Sequence, residues 1–170
     1  MGRRARVKGS TFERLVAAHI KDAAVEHLGE PYEKERAWRT PMSGGHKHEG
    51  EGDIQMSKRL MKSFPFSIEC KHWKSWNPGH LFKLTKQMRL FLKQAEDGAN
   101  KILVRYNKTV LPLLVIRGNG TYIFAVFPVS LTEQMTLRPP LLRMRKRWIA
   151  VILDDFLRSW FSHVAVREGI

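Results

Sequence analysis

Two short apolar runs that carry acids constrain this chain most: Gly52-Asp53-Ile54 and Ile68-Glu69-Cys70-Lys71. Side chains alternate along a strand, so Glu69 and Lys71 share one face while Ile68 and Cys70 share the other. Between the runs, Ser57-Lys58-Arg59 and Ser63-Phe64-Pro65 suit a chain reversal, and a hairpin there sets Asp53 beside Glu69. Two adjacent carboxylates repel unless a cation lies between them. Hard oxygen donors of this kind suit magnesium or manganese. A lysine at the rim can orient or deprotonate a water, or stabilise a developing negative charge. The plainer reading has Asp53 closing a glycine turn, with Glu69 and Lys71 paired on a half-exposed strand. The rest of the chain weighs towards the first reading.

The 170 residues carry a formal charge of +14. A balance so basic favours a polyanionic partner, most simply nucleic acid. An anionic membrane surface is the competitor, but no clearly basic amphipathic helix stands out and no apolar run approaches the ~20 residues that span a bilayer. The basic start, Met1-Gly2-Arg3-Arg4-Ala5-Arg6, is followed by no apolar stretch and so does not read as a signal peptide. Cys70 is the one cysteine, so no intrachain disulfide forms, which fits a reducing cytoplasm. The length suits one domain over residues 1–170.

In chain order, Arg3, Arg4, Arg6 and Lys8 form a basic arm over 1–9, either a solvated tail or a phosphate contact. Ser10-Thr11-Phe12-Glu13 reads as a capping box opening a helix to Leu28, stopped by Gly29 and Pro31. Glu13 then either caps backbone or reaches the acid pair from a neighbouring helix. Tyr32 to Arg39 reads as extended. Arg39-Thr40-Pro41-Met42-Ser43-Gly44-Gly45 follows, a basic residue and a small-residue loop that lets backbone approach a phosphate. His46, His48, Cys70 and His72 are four conceivable zinc ligands, but their one-residue spacers depart from the usual two to four, and Cys70 reads as buried. Trp73 and Trp76 read as packing residues. Asn77-Pro78 starts a helix over 78–97, with Leu84, Met88, Phe91, Leu92 and Ala95 on its apolar face, Gln87 beside that stripe and Gly98 closing it. Lys101 to Tyr106, Leu111 to Arg117 and Thr121 to Val129 read as strands. Arg138 to Arg147 reads as a linker or DNA-facing surface, Trp148 to Leu153 as a buried strand, and Asp154 as the cap of a last helix.

Taken together, these pieces resemble the archaeal-type Holliday junction resolvases of the PD-(D/E)xK nuclease superfamily. The likeness runs from residue 8 to about 106. It rests on Lys8-Gly9-Ser10 with Phe12-Glu13-Arg14, on Arg39 to Gly45, on Gly52-Asp53-Ile54, on Ile68-Glu69-Cys70-Lys71 and on Gln87, in that order. The resemblance implies that Asp53, Glu69, the Cys70 backbone carbonyl and Glu13 surround a metal, with Lys71 as the catalytic lysine. It implies that Ser43 lies near the scissile phosphate, that Gln87 supports the site and that the protein is a homodimer. The chain departs from the pattern where Gly52 replaces the usual proline, a change expected to matter little to ligation. From about Leu111 no family motif is matched; a longer tail of this kind suits a phage-encoded member in the host cytoplasm.

The expected fold is α/β, a central mixed sheet carrying Asp53 and Glu69, flanked by helices in a restriction-endonuclease-like core. Residues 10–106 form the catalytic core, and 111–170 complete the fold, with a final strand and helix at one edge. The expected activity is magnesium-dependent hydrolysis of DNA at four-way junctions, with manganese able to substitute. Arg3, Arg4, Arg6, Lys8, Arg39, Ser43 and Gln87 face the DNA. The rivals are a restriction-like or repair nuclease acting on linear, flap or branched DNA, and a non-catalytic basic DNA-binding module.

Overall fold

Helix α1 (Arg3–Leu28) opens the chain in the computed structural model, which describes residues 3–41, 52–135, 142–144 and 147–170. Residues 3–8, 133, 134 and 142 are described as backbone only. Ser10 to Glu13 therefore lies inside the helix and does not cap it. The basic arm is helical from Arg3 because arginine, lysine and alanine are strong helix formers and Gly9 alone does not outweigh them. Phe12, Val16, Ile20, Ala24 and Leu28 make its buried stripe. After a short 3₁₀ turn (Glu30–Tyr32), strand β1 (Ala37–Arg39) pairs antiparallel with β2 (Ile54–Met56). The extended piece expected from Tyr32 is thus confined to its last three residues.

Helix α2 (Lys58–Ser63) then replaces the expected hairpin turn. Leu60 and Phe64 are fully buried, and one helical turn puts both inward. The consequence is a change of direction. Strand β3 (Phe66–His72) meets the Gly52 segment through a parallel bridge, Gly52↔Ile68, and not through an antiparallel hairpin.

The helix after β3 also differs from expectation. Short α3 (Gly79–Lys83) ends at Leu84 with φ 44°, and Thr85 caps a new helix, α4 (Lys86–Tyr106). Gly98 does not close it. A side-chain carbon there would stand 3.0 Å from Ser67 Oγ, so glycine allows close helix–sheet approach. Ala99 and Ile102 continue the apolar stripe, so the run Lys101 to Tyr106 is helix and not strand. Asn107 ends it in the left-handed conformation.

β4 (Leu111–Arg117) lies parallel to β3, in register from Phe66↔Leu111 to His72↔Arg117. β5 (Phe124–Pro128), β6 (Leu142–Met144) and β7 (Trp148–Ile152) add antiparallel, giving the order β3-β4-β5-β7-β6. The expected final strand is therefore interior, between β5 and β6, and part of the supposed linker is the edge strand. α5 (Leu153–Glu168) begins at Leu153, with Asp154 in its first turn rather than at the cap. The architecture is α/β: a mixed five-stranded sheet with α1 and α5 on one face and α3 and α4 on the other. β4 is covered on both faces, Leu113 and Val115 on one and Leu114 and Ile116 on the other, so it reads as a continuous apolar run.

Candidate active site

Asp53 sits at the junction of two sheets. Ile54 leads into β2, while Gly52 bridges to β3 on the other side. The Asp53 N–H donates to the Ile68 carbonyl at 2.7 Å. Thr40 holds the same turn twice: its N–H donates to the Asp53 carbonyl and its Oγ1 to the Gly52 carbonyl, each at 2.9 Å. The buried Asp53 carboxylate then accepts the Cys70 N–H on Oδ2 at 2.7 Å. In a strand the N–H and C=O of one residue face the same edge. The Cys70 carbonyl therefore points to the edge that Asp53 occupies.

Glu69 and Lys71 project from the opposite face to Cys70, towards α4. Lys71 Nζ donates to Glu69 Oε1 and lies 5.4 Å from the centre of the Phe91 ring. Gln87 is half-buried four residues before Phe91, hence on the same side of α4. From the other face, Glu13 of α1 is buried and accepts from Arg39 Nε. The three acids expected to converge thus approach one strand edge from three sides: α1, the Asp53 turn and β3. Ser43, His46 and His48 lie outside the described residues, and Arg3, Arg4, Arg6 and Lys8 occupy the first turns of α1. Sequence reasoning missed Thr40, Phe91 and the end of β4; nothing in their local pattern sets them apart.

Charge is concentrated here. Burial, then the Glu69 carboxylate, pushes the Asp53 carboxyl up from 3.8 to about 7; Glu13 adds to the rise, while the Cys70 N–H and Lys71 oppose it. A buried acid so crowded by acids binds a proton or a cation strongly. Among the described residues no three acid, histidine or cysteine side chains already enclose a point, because Lys71 holds Glu69 and Arg39 holds Glu13. The chemistry of the nearby donors, carboxylates and a backbone carbonyl, suits a hard divalent cation that keeps several waters. Asp53, Glu69 and the Cys70 carbonyl supply such a set. The four-residue zinc set is not assembled among the described residues: Cys70 is buried, and His46 and His48 lie outside them.

The raised carboxyl has a consequence for stability. The folded state holds the Asp53 proton more tightly than the unfolded chain does. This contribution is complete below about pH 4 and is lost as pH rises through about 7. Asp53→Asn should therefore raise Tm in chelator at pH 8 by roughly 5 °C, and much less at pH 4. Thermal unfolding at both pH values checks this; an equal shift at both would contradict it.

Acid, acid and lysine at one edge of a mixed α/β sheet are the arrangement expected of a PD-(D/E)xK nuclease. A family model described as "Phage putative PDDEXK endonuclease" matches residues 4–151, and the chain belongs to that family. The match supports the superfamily and a phage origin; it does not name the archaeal-type resolvases that the motifs resemble. It also takes in β4, β5 and most of β7, beyond the point where the motif resemblance ends. Neither a curated protein nor a solved structure matches the chain.

Proposed function

We propose that this endonuclease is structure-selective, cutting four-way DNA junctions as a homodimer by magnesium-dependent phosphodiester hydrolysis. The observation that carries the cutting site is the Asp53 carboxylate, bonded to the Cys70 N–H at the strand edge that Glu69 and Lys71 flank. Support for the junction is the motif order shared with the resolvases, and two symmetric cuts call for two sites related by a two-fold axis. Residues 1–170 act as one nuclease domain in this reading.

Asp53, Glu69 and the Cys70 carbonyl would hold the metal, with Glu13 direct or through water; manganese would substitute. When bound, such an ion lowers the pKa of a water and neutralises phosphate charge. Lys71 exchanges part of its contact with Glu69 for the attacking water and then for the phosphoryl oxygen on which charge builds. The Phe91 ring under its ammonium limits where that charge can sit. Gln87 steadies this side of the site from α4. Ser43 and Arg39 take the phosphate backbone, and the basic first turns of α1 extend the grip by shape rather than by base sequence.

A fixed four-way junction and a linear duplex of matched sequence, each with and without magnesium, test the substrate. Paired symmetric nicks on the junction alone are the expected result. Equal cutting of both would keep the site and reassign the substrate to linear or generally branched DNA. Tight binding without cutting would leave a DNA-binding module.

A further inference from the structure

One residue beyond Lys71, at the ends of β3 and β4, His72 and Arg117 stand as register partners. By alternation both side chains share the face of Cys70 and Val115, towards α1. The buried Phe12 touches both: its ring centre lies 5.8 Å from that of His72 and 4.9 Å from the Arg117 guanidinium carbon. Among the described residues no carboxylate or carbonyl engages this guanidinium. Arg117 Nε and His72 Nδ1 are both shielded from solvent without a hydrogen-bond partner. Asn119 completes the cluster, its Oδ1 3.1 Å from His72 Nε2.

The loop that presents these groups is braced. Trp73 N–H donates to the Arg117 carbonyl at 3.0 Å, and Gly118 N–H donates to Thr121 Oγ1 at 2.8 Å. A side chain at position 118 would stand 2.2 Å from the Trp76 carbonyl oxygen, so only glycine lets the two loops touch.

Folded proteins rarely leave a partly buried cation without an acceptor, because desolvation is then uncompensated. Nε is sealed from solvent, so an acceptor brought by a ligand would meet the terminal nitrogens of this half-buried side chain. An arginine stacked on an aromatic ring is held flat, with its fork free for bidentate contact to phosphate. The cluster lies two residues, about 7 Å, along β3 from Cys70. α1 runs past the same strand ends, since Phe12 packs there.

We propose that Arg117, flanked by His72 and Asn119, binds one DNA backbone phosphate next to the scissile one and sets the register of the strand over the acids. Arg117 is then a positioning residue, and the proposal rests on the nuclease reading above. Its test is a scan of single neutral methylphosphonates along a four-way junction and a duplex, with binding measured in a Lys71→Ala background. The expected result is one position beside the mapped cut where the neutral group weakens binding about tenfold. Adding Arg117→Met, which keeps the stem over Phe12, should silence that position alone and reduce the salt-dependence slope by about 0.9. Arg117→Lys should restore the sensitivity there. Arg117→Gln serves as the second neutral variant if the methionine form melts early. Identical sensitivity at every position with and without Arg117 would overturn the proposal. Binding without cutting by the parent protein would sink the nuclease reading but leave the scan readable, and absence of any DNA binding would overturn both.

Discussion

Lys71→Ala is expected to cut DNA about 10²–10³ times more slowly than the parent, the usual cost of removing one donor aimed at transition-state charge. Its fold should be nearly unaffected. The Glu69–Lys71 pair keeps roughly a fifth of each side chain exposed, 19% and 23%. The exposed-pair figure of about 0–1 kcal/mol is a lower bound for a pair this buried, and water reaching the freed Glu69 keeps the loss to roughly 1–2 kcal/mol. Loss of rate with Tm held within a few degrees therefore separates chemistry from stability. Asp53→Asn and Glu69→Gln should lose at least as much rate, since each removes a negative charge from the set proposed to hold the metal. Single-turnover cleavage beside thermal unfolding checks all three, and a variant retaining full activity would remove that residue from the site.

Gly52→Ala is expected to damage both fold and rate, which a distant surface change would not do. Gly52 has φ 93°, and a side-chain carbon there would stand 2.6 Å from the Ile68 carbonyl oxygen and 2.9 Å from its nitrogen. These are backbone atoms of the strand that carries Glu69, so neither neighbour can rotate away. Strain of this kind costs about 1–3 kcal/mol before the clash is counted. A loss near 3 kcal/mol lowers Tm by roughly 6–12 °C in a chain of this size. The same displacement moves Asp53 against Cys70, and a misplacement of about 1 Å can cost a hundredfold in rate. Differential scanning calorimetry and the cleavage assay read the two effects. An unchanged Tm would show that the turn relaxes freely. Proline, whose φ is fixed near −65°, cannot occupy this conformation. The Gly52 departure that looked immaterial in the motif is thus a requirement of this backbone.

Much of the site was legible because its residues lie in one continuous strand or beside it. Alternation alone assigned Glu69 and Lys71 to one face and Cys70 to the buried one. Glu13 was legible as a candidate only through the family pattern, since its own neighbourhood also reads as a helix cap. The fold class followed from apolar runs such as Leu111 to Arg117, whereas direction and boundaries did not. Nothing local says that Lys58 to Ser63 is a helical turn; burial of Leu60 and Phe64 decides it and makes the approach to β3 parallel. Likewise Lys101 to Tyr106 has strand-like composition, but Ala99 and Ile102 extend a stripe already packed on the sheet. The Arg117 cluster was hidden for a simpler reason. Phe12, His72 and Arg117 are brought together only by the parallel register of β3 and β4 and by α1 lying across their ends.

Nicking of supercoiled plasmid by the parent protein and by Glu69→Gln, over a magnesium and manganese titration with a chelator control, tests whether these acids make a metal-dependent nuclease site. The expected result is nicking that requires the metal and disappears in Glu69→Gln while the variant still binds DNA. Nicking that persists in chelator, or at the parent rate in Glu69→Gln, would contradict it.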